Sequence, residues 1–234
     1  MPDKIISCVI SCYNEEENIP ALLNQIKSNK LEKKIEFIIV NNGSTDNSWR
    51  IISDYITLFP EIKFINVKED LGWGNGITEG LKYAKCKFVG WIHGDLQYDM
   101  KILFQVIEVL ENPKNQNHNI LIKGRRARRK ISEDFFTLTM SIIATIFLRK
   151  IFIDINAQPS FFSKEILKKF NNVPKDLMLD LYIYNLINKI KDKKIIRIPV
   201  VQKDREKGQS SWNKNFASKF LLSYKMLKGI IKLI

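Results

Sequence analysis

Two side chains able to hold a metal ion stand two residues apart at the end of a short apolar run. The run is Phe88-Val89-Gly90-Trp91-Ile92, and His93-Gly94-Asp95-Leu96-Gln97 follows it. Such a run reads as a buried strand. It places His93 and Asp95 at the carboxyl edge of a sheet, where α/β proteins hold ligands. An imidazole nitrogen and a hard carboxylate oxygen together can hold a divalent cation against a phosphate. The same residues would also serve as a polar turn that merely closes a strand, so the rest of the chain must decide.

The first three apolar runs each end in a polar turn. These turns are Tyr13-Asn14-Glu15-Glu16-Glu17, Asn41-Asn42-Gly43-Ser44-Thr45-Asp46, and Asp70 with the glycines after it. Helix capping by Asn and Asp explains any one of them. A parallel sheet would bring all of them to the edge that carries His93 and Asp95, which capping does not explain.

The elements that must position these turns are visible in the hydrophobic pattern. Strands are predicted over 5–11, 35–40, 64–67, 88–92 and 120–123, with helices between them. Asn18 reads as a helix N-cap, with Pro20 in the first turn. Strands alternating with helices at this spacing predict a doubly wound, mostly parallel α/β sheet. Continuous apolar strands fit a sheet covered on both faces. Beyond residue 124 the pattern loosens into a basic cluster, a long apolar helix, a helix near 176–190, a strand over 195–200 and a last helix from about Asn215. No repeat or long linker interrupts the chain, which predicts one domain over 1–234. The change of pattern divides it into a first half over 1–123 and a second half over 124–234.

A net charge of +13 points to an anionic partner, whether phosphorylated substrate, anionic lipid or nucleic acid. No helix-turn-helix, RNP-like or zinc-finger pattern accompanies it, so nucleic acid is not expected. Cys8 and Cys12 lie roughly 13 Å apart at strand rise, too far for a disulfide, and reduced thiols are expected for both and for Cys86. Met1-Pro2-Asp3-Lys4 running straight into a strand is not a signal-peptide pattern. Phe135 to Leu148 is free of charge but short of a membrane span. The stretch from Phe135 to Phe152 predicts an amphipathic helix lying in the membrane interface. The last helix carries Phe216, Phe220, Leu227 and Ile231 near one face and lysines elsewhere. Two such helices beside a basic cluster predict contact with an anionic membrane surface.

The ordered motifs Cys-Tyr-Asn-Glu-Glu-Glu-Asn, Val-Asn-Asn-Gly-Ser-Thr-Asp, Gly-Trp-Gly-Asn-Gly and His-Gly-Asp-Leu-Gln resemble family 2 glycosyltransferases with the GT-A fold. Gln158-Pro159-Ser160-Phe161-Phe162 and the stretch from Asp204 to Trp212 resemble the dolichyl- or polyprenyl-phosphate glycosyltransferase branch. The resemblance implies a Rossmann-like half binding a nucleotide-sugar. Tyr13, Glu15, Asn41, Asp70, Gly94, Asp95 and Arg205 then become the donor-binding candidates. Asn41-Asn42 stands where the family usually has Asp-Asp, and an amide donates as well as accepts, so the base is left open. His93 takes the first place of the usual Asp-x-Asp motif. With Asp95 and Gln97 it makes the metal candidates, for Mn²⁺ or Mg²⁺, and loss of a carboxylate tilts preference toward Mn²⁺. Arg126, by its Gly-x-Arg match, with Arg128 and Ser141, is implied for an acceptor phosphate.

The expected activity is transfer of a sugar to a polyprenyl phosphate, inverting and metal-assisted, at the cytoplasmic face of the membrane. No transmembrane segment is expected. A lipid phosphate is already anionic and needs no general base, whereas a sugar hydroxyl does. Transfer to a saccharide hydroxyl in surface polysaccharide synthesis is therefore the alternative, with Asp180 as base and Asp176 behind it; an exposed helix charge is the plainer reading of either. A non-catalytic nucleotide- or lipid-binding module is the alternative of another class.

Overall fold

The computed structural model describes residues 4–115, 119–127, 131–205 and 226–233, without the side chains of 131–137. Expectations placed on Arg128, on Gly208 to Trp212 and on the start of the last helix lie outside the described residues.

Seven strands form one sheet in the order β3-β2-β1-β4-β6-β5-β7. β1 (Ile6–Cys12) pairs in parallel with β2 (Ile35–Asn42) and with β4 (Phe88–Trp91), and β2 with β3 (Lys63–Val67). β5 (Asn119–Arg126) and β7 (Lys193–Val200) are also parallel. β6 (Ser160–Ser163) alone is antiparallel, wedged between β4 and β5. This strand is absent from the hydrophobic reading. Four residues are too few to show a period, and a glycine on each neighbour admits it. A Cβ on Gly90 would lie 2.1 Å from the Ser160 carbonyl oxygen.

Both faces are covered, which is why β1 is buried along its whole length. On one face α1 (Ile19–Ser28), α2 (Ser48–Ile56) and α4 (Ile102–Glu111) pack over Ile6, Ile10, Phe37 and Ile122. On the other, α3 (Trp73–Leu81), α5 (Ile131–Leu148), α6 (Met178–Asn188) and a helical segment at 226–231 pack over Val9, Val40, Trp91 and Leu121. α1 keeps the helical spacing of its buried residues, Ile19, Leu22, Leu23 and Ile26. Asn18 precedes it without a side-chain cap; its amide donates instead to Glu15 Oε2 at 2.5 Å. That correction turns a capping residue into a support for a site residue.

Among the described residues, no helix is long and apolar enough to cross a membrane. α5 and the loop after it nevertheless leave Leu138, Ile142, Ile146, Ile151 and Ile153 exposed, Ile146 at 67%.

Candidate active site

The carboxyl ends of β1 and β2 are tied together by their own turns. Asn14, at a positive φ of 53°, donates from its amide to Thr45 Oγ1 at 3.2 Å and accepts the Thr45 N–H at 2.8 Å. The Glu15 N–H donates to Ser48 Oγ at 2.9 Å. The Glu16 N–H donates to Asp46 Oδ2 at 3.2 Å, while Asp46 Oδ1 accepts the Ser48 N–H at 2.9 Å. Asp46 thus caps the start of α2 and clamps the first turn at once. The next turn is tied in by Asn42, whose amide donates to Asp70 Oδ1 at 2.9 Å and to the Gly72 carbonyl at 3.2 Å. Asp70 Oδ1 also accepts the Gly72 N–H at 2.8 Å. The convergence expected of these turns is therefore present as hydrogen bonds.

Asn41 settles its donor–acceptor ambiguity by orientation. Its Nδ2 donates to Asn66 Oδ1 at 2.7 Å, and its buried Oδ1 has no partner among the described residues. What it offers a ligand is an acceptor, as a carboxylate there would. Tyr13, 36% exposed, stands at the rim of the same edge.

Glu15 is buried, and that burial raises its pKa above the ordinary carboxylate range; Asn18 and Arg205 act against the shift. The Arg205 guanidinium pairs with Glu15 Oε1. A residue 190 positions away is thereby drawn onto the β1 edge.

β4 delivers His93, Gly94 and Asp95 beside this cluster. A Cβ on Gly94 would stand 3.0 Å from both Cys12 Sγ and Ile10 Cγ2, so the turn lies close against β1. The His93 ring stacks on Trp73, 4.8 Å between centroids and 27° between planes, and Trp73 meets Trp91 edge-on at 6.2 Å. Asp95 Oδ1 accepts the Gln97 N–H at 3.2 Å. The negative fields of Asp95 and Glu15 both push the buried Cys12 thiol upward, after burial itself. This concentrates negative charge where a cation would sit. Gln97 spends both ends of its amide elsewhere: Nε2 donates to the Lys203 carbonyl at 3.0 Å, and Oε1 accepts from Gln202 at 3.3 Å. In this arrangement it braces the segment that leads to Arg205. Among the described residues, no three His, Cys, Asp or Glu side chains converge as a self-sufficient metal site.

The side expected to meet the acceptor is built from side chains far apart in sequence. Arg126, half-buried at the end of β5, donates from Nε to Tyr98 Oη at 3.3 Å and from Nη2 to the Asn156 carbonyl at 3.1 Å. Its N–H donates to Asp154 Oδ2 at 3.2 Å. Tyr98 in turn donates to Gln202 Oε1 at 3.3 Å, which links Arg126 to the Gln97 brace. Ser141 is buried on α5.

Asp180 is not the exposed helix charge that sequence allowed; it is 1% exposed and ion-paired with Lys123, which is fully buried, at 2.8 Å. The Asp180 carboxylate also accepts from Ser160 and from Gln158 Nε2, each at 2.9 Å. Burial pushes the Lys123 ammonium down to about 8, against the pull of Asp180. Asp176 caps the next turn, accepting the Met178 N–H at 2.9 Å.

Sequence reading missed Trp73, Tyr98, Gln202 and Lys123. Trp73 lies within the quoted Gly-Trp-Gly-Asn-Gly motif, so its type and place were a signal. Lys123 was counted with a basic cluster, and only its position opposite Ser160 in the sheet separates it from its neighbours.

The profile of glycosyl transferase family 2 matches residues 7–171. The chain belongs to that family. Poly-β-1,6-N-acetyl-D-glucosamine synthase of Staphylococcus epidermidis is 34% identical over 110 residues, covering 47% of this chain and 26% of the relative. The same-named protein of Staphylococcus aureus strain COL is 29% identical over 133 residues, covering 50% and 30%. The chain thus spans only about a quarter to a third of the length of these relatives. The fold matches that of glucosyl-3-phosphoglycerate synthase from Mycobacterium tuberculosis, solved with Mn²⁺, UDP-glucose and phosphoglyceric acid. That likeness has a TM-score of 0.73 at 14% identity, over 98% of this chain and 79% of the other. S. aureus TarS 1–349 matches with a TM-score of 0.58 at 19% identity, over 82% and 58%. The family 2 chain described here therefore has the GT-A fold expected of it.

Proposed function

We propose that this family 2 chain is a glycosyltransferase that moves a sugar from a nucleotide-sugar to a polyprenyl phosphate at the cytoplasmic face of a membrane. The observation that carries the choice of acceptor is the Lys123–Asp180 pair. The Asp180 carboxylate, the candidate base, is bound to a buried cation, while the Arg126 guanidinium stands at the end of the strand that carries Lys123. An edge that offers a cation rather than a base suits an acceptor that arrives already charged. The exposed apolar residues of α5, next to Arg149 and Lys150, suit a lipid carrier at an anionic surface.

On the donor side, Asn41 Oδ1 would accept an N–H of the base, and Tyr13 would lie against the base or ribose. Arg205 would swing from Glu15 to the diphosphate. Asp95, with His93 beside it, would hold a divalent cation. The ion fits the carboxylate, the imidazole and the negative field on Cys12; the diphosphate would complete its shell. When bound, it neutralises charge on the departing nucleoside diphosphate. The mycobacterial enzyme's structure with Mn²⁺ and UDP-glucose supports that reading through fold alone.

The test is to incubate the protein with labelled nucleotide-sugars and short polyprenyl phosphate, with Mn²⁺, Mg²⁺ or EDTA. Label entering the organic phase, and lost in Asp95→Ala, is the expected result. Label entering water-soluble oligosaccharide instead would support the second reading, a saccharide hydroxyl acceptor, which the names of the staphylococcal relatives favour. Donor binding without transfer to either would point to a non-catalytic module.

A further inference from the structure

We infer that Lys123 and Asp180 are positioning residues: their buried ion pair fixes the 154–160 segment, and that segment sets the guanidinium of Arg126. The inference rests on the proposed reading of Arg126 as the group that meets the acceptor's negative charge.

The geometry runs in one connected path. Asp180 on α6 takes hydrogen bonds from three places in the chain: Lys123 on β5, Ser160 on β6 and Gln158 just before it. Lys123 also donates to Ser160 at 2.8 Å, which closes the triangle. Gln158 is pressed against β5, because a Cβ on Gly124 would lie 2.1 Å from its carbonyl oxygen. The same segment supplies the Asn156 carbonyl and the Asp154 carboxylate that hold Arg126. Tyr98 Oη holds the Nε of Arg126 from the other side, whereas its Nη2 and its backbone N–H are placed by the 154–160 segment. A buried pair of this kind is a poor source of net stability compared with apolar side chains, so a role in fixing geometry is the better account of its presence.

Other charged groups around Lys123 are few and named. Arg126 lies on its own strand and Arg197 on β7; both oppose its charge, and Asp180 favours it. Arg197 is itself occupied, donating to the Ile153 carbonyl and to Tyr184 Oη, each at 2.6 Å. Lys123 is the one of these groups able to lose its charge under mildly alkaline conditions.

The experiment has two readouts. The first needs no acceptor: the Nη2–H resonance of Arg126 in arginine-labelled protein, the group that donates to the Asn156 carbonyl, identified by its disappearance in Arg126→Lys. Asp180→Asn is expected to speed its solvent exchange by about 10-fold or more, the equivalent of one lost charge-assisted hydrogen bond. The second is binding of farnesyl phosphate. Asp180→Asn is expected to weaken it by about 10-fold, close to the effect of Arg126→Ala, while UDP affinity stays within about 2-fold. A purely structural role would move UDP binding as well, or neither. In the wild type, farnesyl phosphate affinity should fall as pH rises through about 8.

If Asp180→Asn does not fold, the double variant Lys123→Met/Asp180→Leu carries the test, since an apolar pair can replace a buried ion pair. It should fold, show the mobile Arg126 signal and lose the pH dependence. An unchanged Arg126 resonance in either variant overturns the inference. If Arg126→Ala leaves farnesyl phosphate binding intact, the acceptor reading fails instead, and the resonance alone decides the positioning role.

Discussion

The two ends of the sheet's carboxyl edge are built in opposite ways. On the β1–β2–β3 side, short polar turns lock onto one another through many separate hydrogen bonds: Asn14 to Thr45, Glu16 to Asp46, Asn42 to Asp70. On the β4–β6–β5 side, one buried ion pair, Lys123–Asp180, holds one loop, and the loop holds one arginine. The first design fixes backbone N–H groups and side-chain acceptors through many contacts, with one buried carboxylate, Glu15, paired to Arg205. The second concentrates its dependence in a few residues, so a single change there should travel further. On the proposed reading, a site that recognises a large, polar nucleotide suits many modest contacts, and one that meets a single charged group suits one well-held cation.

The sharpest way to break this comparison is at the point where the two sides meet. Asp95→Ala should remove transfer by about 10³-fold or more, if it supports charge on the leaving diphosphate as metal-ligand and electrostatic groups do. UDP binding that depends on Mn²⁺ should be lost with it. UDP binding that keeps its Mn²⁺ dependence in the variant would remove Asp95 from that role.

Next come two glycines, one on each side. Gly43 sits at a φ of +71°, and a Cβ there would lie 2.3 Å from the Asp70 nitrogen. A Cβ on Gly124 meets the Gln158 carbonyl, with no left-handed backbone involved. Each alanine variant should cost about 1–3 kcal/mol by thermal melting, the range for overpacking. Their functional effects should separate: Gly43→Ala should weaken UDP binding, and Gly124→Ala should raise the KM for acceptor. Equal effects on both ligands from either variant would show that the two sides are mechanically one.

How much of this was legible follows from the same contrast. The donor side was readable because each turn is contiguous in sequence and each follows an apolar strand, as Asn41 to Asp46 follows β2. Parallel topology then brings the turns together with no further information. The acceptor side was not readable, because Lys123, Gln158, Ser160 and Asp180 meet only once β6 has inserted antiparallel between β4 and β5. A four-residue strand carries no period, and nothing local marks Lys123 as the buried member of a basic run. Asp180 looks like a solvent-facing acid until α6 is known to be buried on nearly every side.

Lys123 gives a prediction in which stability and binding diverge. Its folded value, about 8, lies below the ordinary 10.5, so between these two pH values the unfolded chain binds more protons than the folded one. Stability from this group therefore rises with pH across that window and is flat below it. The difference in unfolding free energy between wild type and Lys123→Met should shift in favour of the wild type as pH rises from about 8 toward 10.5. Acceptor affinity is expected to fall over the start of the same window. A pH-independent difference between the two proteins would mean that Lys123 keeps its proton throughout.

The smallest effect tests whether the donor side's departure from the usual acidic pair is compensated within the chain. Asn42 donates to Asp70, so Asn42→Asp would set two carboxylates against each other and leave the Gly72 carbonyl without this donor. The cost should be about 1–3 kcal/mol, typical of a broken hydrogen bond with an unsatisfied buried partner. Asp70→Asn in the same chain would restore a donor opposite the new carboxylate by turning Nδ2 into the place of Oδ1, which gives up the Gly72 N–H bond, so only part of that loss should return. Recovery of about 1 kcal/mol or more in the double-variant cycle would identify Asn42 and Asp70 as one unit. Simple additivity would instead mean that the amide at position 42 is tolerated there rather than matched, and that the turn is held mainly by its backbone.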